Sequence, residues 1–265
     1  MKNVLHYPGS KKRIASWIIS HMPPHHSYLE PFFGGGAVLF EKKPSAIETV
    51  NDLDGDVVNF FRVLRNQKEE LKEWLKYTPY AREVYREAFE LHPQSEIEQA
   101  GYFAVRSMQS HGFRTNGNCG WKKDVHGREA AYALRNWNEL PELIEEMAAR
   151  LKEVQIENMP ALELIRAFNY SDVLIYADPP YVLSTRSRPQ YKYEMTNQNH
   201  VDLLLELCQS KAMVMISGYD CPLYEKYLSG WRKEQIRART QNNAARIETL
   251  WMNFEPSYQF NLPGI

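Results

Sequence analysis

Two hydrophobic rhythms alternate along this chain. Short apolar runs predict buried strands after Ser27 and at Ile47 to Val50, Val154 to Ile156, Val173 to Ala177 and Ala212 to Ile216. Between them the apolar positions recur at helical spacing. One helix is expected from about Lys11 to Met22, with Ile14, Trp17, Ile18 and His21 facing inward and Pro23-Pro24 ending it. Others are expected near Ala161 to Phe168 and His200 to Ser210. Strands that alternate with helices imply a parallel sheet and an α/β fold. From about Val57 to Leu151 the rhythm is helical, interrupted by a loop from His111 to Lys123: Phe60 to Leu64, Leu71 to Leu75, Val84 to Phe89, Ala100 to Met108 and Asn138 to Lys152. That stretch reads as a helical insertion into the sheet domain. Trp231 to Arg237 and Ile247 to Asn253 read as a closing antiparallel hairpin.

Length and composition bound this picture without deciding function. With 265 residues, 43% of them hydrophobic, the chain supports one sizeable core with a smaller appended domain. A net charge of −1 means that nucleic-acid binding needs local basic patches. Three occur. Arg106 through Arg128 holds Arg106, Arg114, Lys122, Lys123 and Arg128 against Asp124. Arg186, Arg188 and Lys192 precede Glu194, and Arg232 to Arg246 holds five cations against Glu234. Cys119, Cys208 and Cys221 are scattered, which argues against a disulfide framework or structural zinc site and for a reduced, intracellular setting. No signal-peptide pattern is visible, and no apolar run nears the ~18 residues of a membrane span.

The candidate chemistry gathers at strand ends. Asp178-Pro179-Pro180-Tyr181 follows the run Val173 to Ala177, where open α/β sheets bind their ligands. Two prolines fix φ and remove two N–H donors, so the corner is stiff. It can present a carboxylate, a carbonyl and a ring face to a planar amine such as a nucleobase edge. Phe32-Phe33-Gly34-Gly35-Gly36 forms a turn where backbone can approach a ligand, although the full G-x-G-x-x-G spacing is missing. Asp52, sixteen positions past Gly36 at the end of the second strand, suits the two hydroxyls of a ribose. Asp54 suits a helix cap. Each motif has a structural alternative: a strand stop, a plain turn, a cap. The loop His111 to Lys123 and the one after Tyr181 have theirs as solvated loops; with function, the first reads bases and phosphates and the second closes over a substrate.

Taken in order, these motifs resemble the Dam-like (α-group) DNA adenine N6-methyltransferases. The likeness rests on Tyr7-Pro8-Gly9-Ser10-Lys11, Glu30 to Gly36, Asn51-Asp52, the helical insert, Asp178 to Tyr181 and the tail Glu248 to Phe254. It covers nearly the whole chain outside about 58–151. The resemblance implies a Rossmann-like S-adenosylmethionine-dependent methyltransferase sheet with helices on both faces, formed by residues 1–57 and 152–265. Residues 58–151 would be a mainly helical target-recognition domain. It also implies S-adenosylmethionine as methyl donor and no metal. Tyr7, Lys11, Phe32, Gly34, Gly36, Asp52 and Asp178 would hold that cofactor, with Lys11 on its carboxylate. Asp178, Pro179 and Tyr181 would be catalytic, Tyr181 by stacking on the base.

Duplex DNA is then the expected partner, with the adenine flipped out of the stack. Arg114, Asn116, Lys122, Lys123, Arg186 and Arg188 are the expected DNA contacts. A monomer in the cytoplasm, bacterial or virally encoded, fits, with a cognate restriction endonuclease as a further partner. The Arg114 to Trp121 loop differs from the version associated with GATC, so no target sequence is implied. Three alternatives stay open: an RNA adenine methyltransferase, a non-catalytic nucleic-acid-binding module and, less favoured, a cytosine N4 enzyme.

Overall fold

The computed structural model describes residues 5, 7–111, 117, 119–123, 125, 132–186, 189–239 and 245–255. Seven strands form one sheet: β1 (Ser27–Glu30), β2 (Ile47–Asn51), β3 (Val154–Glu157), β4 (Val173–Ala177), β5 (Met213–Gly218), β6 (Arg232–Arg239) and β7 (Ala245–Met252). Their order is β3-β2-β1-β4-β5-β7-β6. The first five strands are parallel, while β7 runs antiparallel to both β5 and β6. Up to β5 this is the Rossmann order. The expected closing hairpin is present, and β7 inserts between β5 and β6.

Strand periodicity sorts the core into two layers. Val173, Ile175 and Ala177 of β4 join Val214, Ile216 and Trp251 on one face. That face is covered by α8 (Ala161–Ala167), α9 (Asn197–Cys208) and α10 (Pro222–Leu228). Tyr28, Leu174, Tyr176, Met215 and Leu250 face the other way. They share a core with α1 (Ala15–Ser20) and α2 (Ala37–Glu41), and with a helical block of α3 (Gly55–Asn66), α4 (Lys68–Tyr77), α5 (Arg82–Glu90), α6 (Glu96–Gln109) and α7 (Tyr132–Leu151).

The block is pinned to the sheet by buried charge. Arg150 of α7 places Nη1 2.5 Å from Glu48 Oε2, and Lys42 Nζ lies 2.5 Å from Glu48 Oε1. Burial pushes the Glu48 carboxyl up, but the two cations hold it below the usual range.

Two differences from the sequence reading have local causes. The first helix begins at Ala15 rather than Lys11, because residues 8–14 are turned and the Lys11 ammonium folds back onto the Gly9 carbonyl at 2.8 Å. α10, not foreseen, opens with Pro222, which is pre-set for a first helical turn.

Candidate active site

The strand order brings the reactive corner and the glycine turn together. β1 lies between β2 and β4, so the chain direction across the sheet reverses between β1 and β4. Ligands of such sheets bind outside the carboxyl ends at that switch point. The glycine turn leaves β1 there, and Asp178 leaves β4 beside it in register (Leu29 opposite Ile175).

Asp178 is held from two sides. Ser217 Oγ, at the end of β5, donates to its Oδ1 at 2.7 Å, and Lys11 Nζ stands 2.9 Å from its Oδ2. Tyr176 OH lies 3.1 Å from Ser217 Oγ. Burial works against the Lys11 charge, yet the Asp178 carboxylate, with Glu248 further away, holds that ammonium well above its usual range. Lys11 also sits 4.7 Å from the Tyr181 ring centroid. Tyr181 OH donates to Glu248 Oε2 of β7 at 2.6 Å, and its ring meets Tyr219 edge to face at 4.7 Å. The ring expected to stack on a base is thus buried in this arrangement. Pro179 is buried, and Pro180 lines the neighbouring pocket.

That pocket, about 280 Å³, is walled by all seven expected cofactor residues: Tyr7, Lys11, Phe32, Gly34, Gly36, Asp52 and Asp178. Gly34 and Gly36 have φ of 50° and 66°, which an L side chain rarely adopts. A Cβ on Gly36 would stand 2.5 Å from the Phe33 ring, and one on Gly34 would stand 3.0 Å from the Tyr7 ring. The turn is therefore glycine by necessity. Asp52 accepts from the Gly34 N–H at 2.8 Å on Oδ2 and from the Asp54 N–H at 2.9 Å on Oδ1. Burial pushes its carboxyl up to about 6, with these backbone bonds acting against the rise. Asp54 caps α3, as expected, by accepting from the Asp56 N–H at 3.1 Å.

Glu30, at the end of β1, also lines the pocket and is 3% exposed. Burial is the main cause that pushes its carboxyl up to about 8, against a hydrogen bond from Tyr28 OH at 3.0 Å. Glu30, Ser217 and Glu248 were not singled out as site residues from the sequence. Glu30 and Glu248 sat inside recognisable motifs, but only strand pairing shows what they touch.

The expected DNA contacts divide. Arg114, Asn116 and Arg188 lie outside the described residues. Lys122 and Lys123 follow an isolated bridge between Ser110 and Trp121 in the helical block, away from the pocket walls. Lys122 Nζ lies 5.0 Å from the Tyr132 ring centroid, and Lys123 is exposed. Arg186 is taken up internally: its guanidinium grips Glu194 at 2.5 and 3.2 Å and donates to the Tyr181 carbonyl at 2.8 Å.

The pocket lies at the switch point, where such sheets bind ligands, and reaches the Asp178 corner. Comparison with known proteins agrees. The D12 class N6 adenine-specific DNA methyltransferase family matches over residues 7–243, and the chain belongs to that family. It is 25% identical to the type II methyltransferase M1.LlaDCHI of Lactococcus lactis subsp. cremoris, covering 90% of this chain and 88% of that one. It is 28% identical to the DNA adenine methylase of Vibrio cholerae serotype O1 over 95% of each chain. It is 24% identical to the type II methyltransferase M.MjaIII of Methanocaldococcus jannaschii over 92% and 93%. Among the alternatives left open by the sequence, the family selects an enzyme acting on adenine in DNA. Among the described residues, no helix is long and apolar enough to cross a membrane.

Proposed function

We propose that the pocket binds S-adenosylmethionine and that the Asp178 corner presents a flipped-out adenine to it. The observation that carries this reading is the single pocket joining Asp52, the glycine turn and Asp178. The glycine turn, whose Gly34 and Gly36 take φ values that other residues rarely adopt, suits close backbone approach to such a ligand, and the acid at each end suits its hydroxyls and the reacting amine. When bound, S-adenosylmethionine supplies a methyl group made electrophilic by its sulfonium.

The chain's own residues do the rest by placement. An adenine amine is a weak nucleophile because its lone pair is delocalised into the ring. Asp178 carries one hydrogen bond on each oxygen and keeps lone pairs for an amine N–H. The Pro179 carbonyl is the second acceptor in this proposal. Two acceptors draw the nitrogen toward tetrahedral geometry and localise its lone pair. Lys11 and Ser217 fix the carboxylate beforehand, so little reorganisation accompanies reaction. Tyr181, held by Glu248, is the ring assigned to the base. Lys11 acts on Asp178 in this reading, in place of the cofactor carboxylate first assigned to it.

The helical block within 58–151 is proposed as the target-recognition domain, with Lys122, Lys123 and Arg114 on DNA phosphates and edges. A monomer acting on duplex DNA in the cytoplasm completes the proposal. Two relatives named type II methyltransferases support a cognate restriction endonuclease as partner. Incubation of the protein with labelled S-adenosylmethionine and unmethylated DNA, followed by sequencing for modified adenine, tests the reading. Label is expected on adenine N6 at one short sequence; no incorporation into any duplex overturns it.

A further inference from the structure

Residues 190–195, just after the Asp178 corner, run from one wall of the pocket to the other. On one side Tyr191 packs 6.3 Å from Tyr7, and its OH lies 3.4 Å from the Pro8 carbonyl. A Cβ on Gly9 would stand 2.2 Å from that OH, so the fit there is close. On the other side Lys192 Nζ lies 3.1 Å from Asp54 Oδ1 and 3.4 Å from Asp56 Oδ2. Beyond these two consecutive anchors the segment is braced by Glu194, which accepts from the Gln190 and Tyr191 N–H groups and from Arg186. Tyr191 through Met195 line the pocket.

The two acids that receive Lys192 are themselves fixed. Asp54 caps α3 two residues after Asp52. Asp56 accepts from Gln99 at 2.8 Å and from Arg106 at 3.1 Å, both on α6. The lysine therefore ties a segment that lacks regular structure to a rigid helix start beside the Asp52 end of the pocket.

We infer that Lys192 is a positioning residue for the cofactor, holding residues 190–195 as a strap across the pocket. This rests on the reading of the pocket as the S-adenosylmethionine site. The lysine side chain is 42% exposed, and its buried partner Asp54 keeps its hydrogen bond from the Asp56 N–H when the lysine is lost. Its loss therefore acts on the strap and leaves the fold in place. A strap closed only part of the time lowers apparent affinity by the fraction closed.

The test compares the full chain with Lys192→Met and Lys192→Arg, using S-adenosylhomocysteine as the calorimetric probe without DNA. Lys192→Met is expected to weaken binding about tenfold. It should raise the KM for S-adenosylmethionine in parallel, with kcat at saturating cofactor within about twofold of wild type. Lys192→Arg, which keeps the charge, is expected to restore most of the affinity. Wild-type affinity in Lys192→Met, or a kcat loss at unchanged KM, overturns the inference while leaving the pocket's assignment standing. Failure of the unaltered chain to bind S-adenosylhomocysteine overturns the assignment, and the strap with it.

Discussion

Asp178 and Asp52 are the same side chain at opposite ends of one pocket, and their surroundings differ. Asp178 faces a buried ammonium at 2.9 Å and a hydroxyl at 2.7 Å. Asp52 has two backbone N–H groups, and burial pushes its carboxyl up to about 6. The first is oriented by an ammonium and a hydroxyl and keeps lone pairs that can accept from an amine. Burial outweighs the backbone hydrogen bonds at the second and leaves it sensitive to what enters beside it. The contrast shows how one fold uses two carboxylates for different tasks by controlling what each one faces.

Removing the Asp178 carboxylate is the harshest way to break this contrast. Asp178→Asn is expected to lower methyl transfer by about 10³-fold or more, because a preorganised acceptor at the reacting nitrogen is lost. Calorimetry should still show S-adenosylhomocysteine binding; robust turnover by the variant would return Asp178 to a structural role.

Lys11→Met asks which partner the lysine serves. A lysine serving Asp178 predicts that kcat falls by about 10²-fold while the KM for S-adenosylmethionine changes little. A rise in KM at constant kcat would assign Lys11 to the cofactor carboxylate.

At the other end of the pocket, Asp52→Ala should raise the dissociation constant for S-adenosylhomocysteine about tenfold, the loss of a charge-assisted pair of hydrogen bonds. Unchanged affinity would leave Asp52 only its two backbone bonds.

The gentlest probe is pH. Glu30 is raised from 4.5 to about 8 and Asp52 from 3.8 to about 6. Both carboxyls bind a proton more readily in the folded state than in the unfolded one. Their contribution to stability is therefore full below about pH 4 and is lost as pH rises through 6 and then 8. Unfolding midpoints of the ligand-free protein should reflect this decline, and Glu30→Gln should flatten it between pH 4.5 and 8. A cationic ligand in the pocket should lower both values. Binding near pH 7 is then expected to release protons, measured by calorimetry in buffers of different ionisation enthalpy. Proton uptake, or none, would place the ligand's positive charge away from Glu30.

Much of this was legible in the chain itself. The apolar runs before Asn51 and Asp178 are strands, the described residues between Phe60 and Leu151 are mainly helical, and Asp54 caps a helix. Such features depend on contacts within a few residues, so local spacing reveals them. The candidate cofactor residues were also readable, from the order of short motifs, and they line a single pocket. What could not be read was who touches whom. Arg186 looked like a phosphate contact because it is basic and follows the corner; only the folded loop turns it onto Glu194. Tyr181 looked like an open stacking face until β7 brought Glu248 to its hydroxyl.

The sequence alone determined most of the elements, the glycine turn and the stiff corner at Asp178, since φ preference, apolar period and proline stiffness belong to individual residues and near neighbours. Tertiary structure decided the partners. The pairing of β4 with β1 and β5, and of β5 with β7, brings Glu30, Ser217 and Glu248 toward Asp178 and Tyr181 from chain positions far apart, and the segment before the first helix adds Lys11. Distance between charges and removal of water around them set the chemistry of those groups, and both exist only once the sheet has closed.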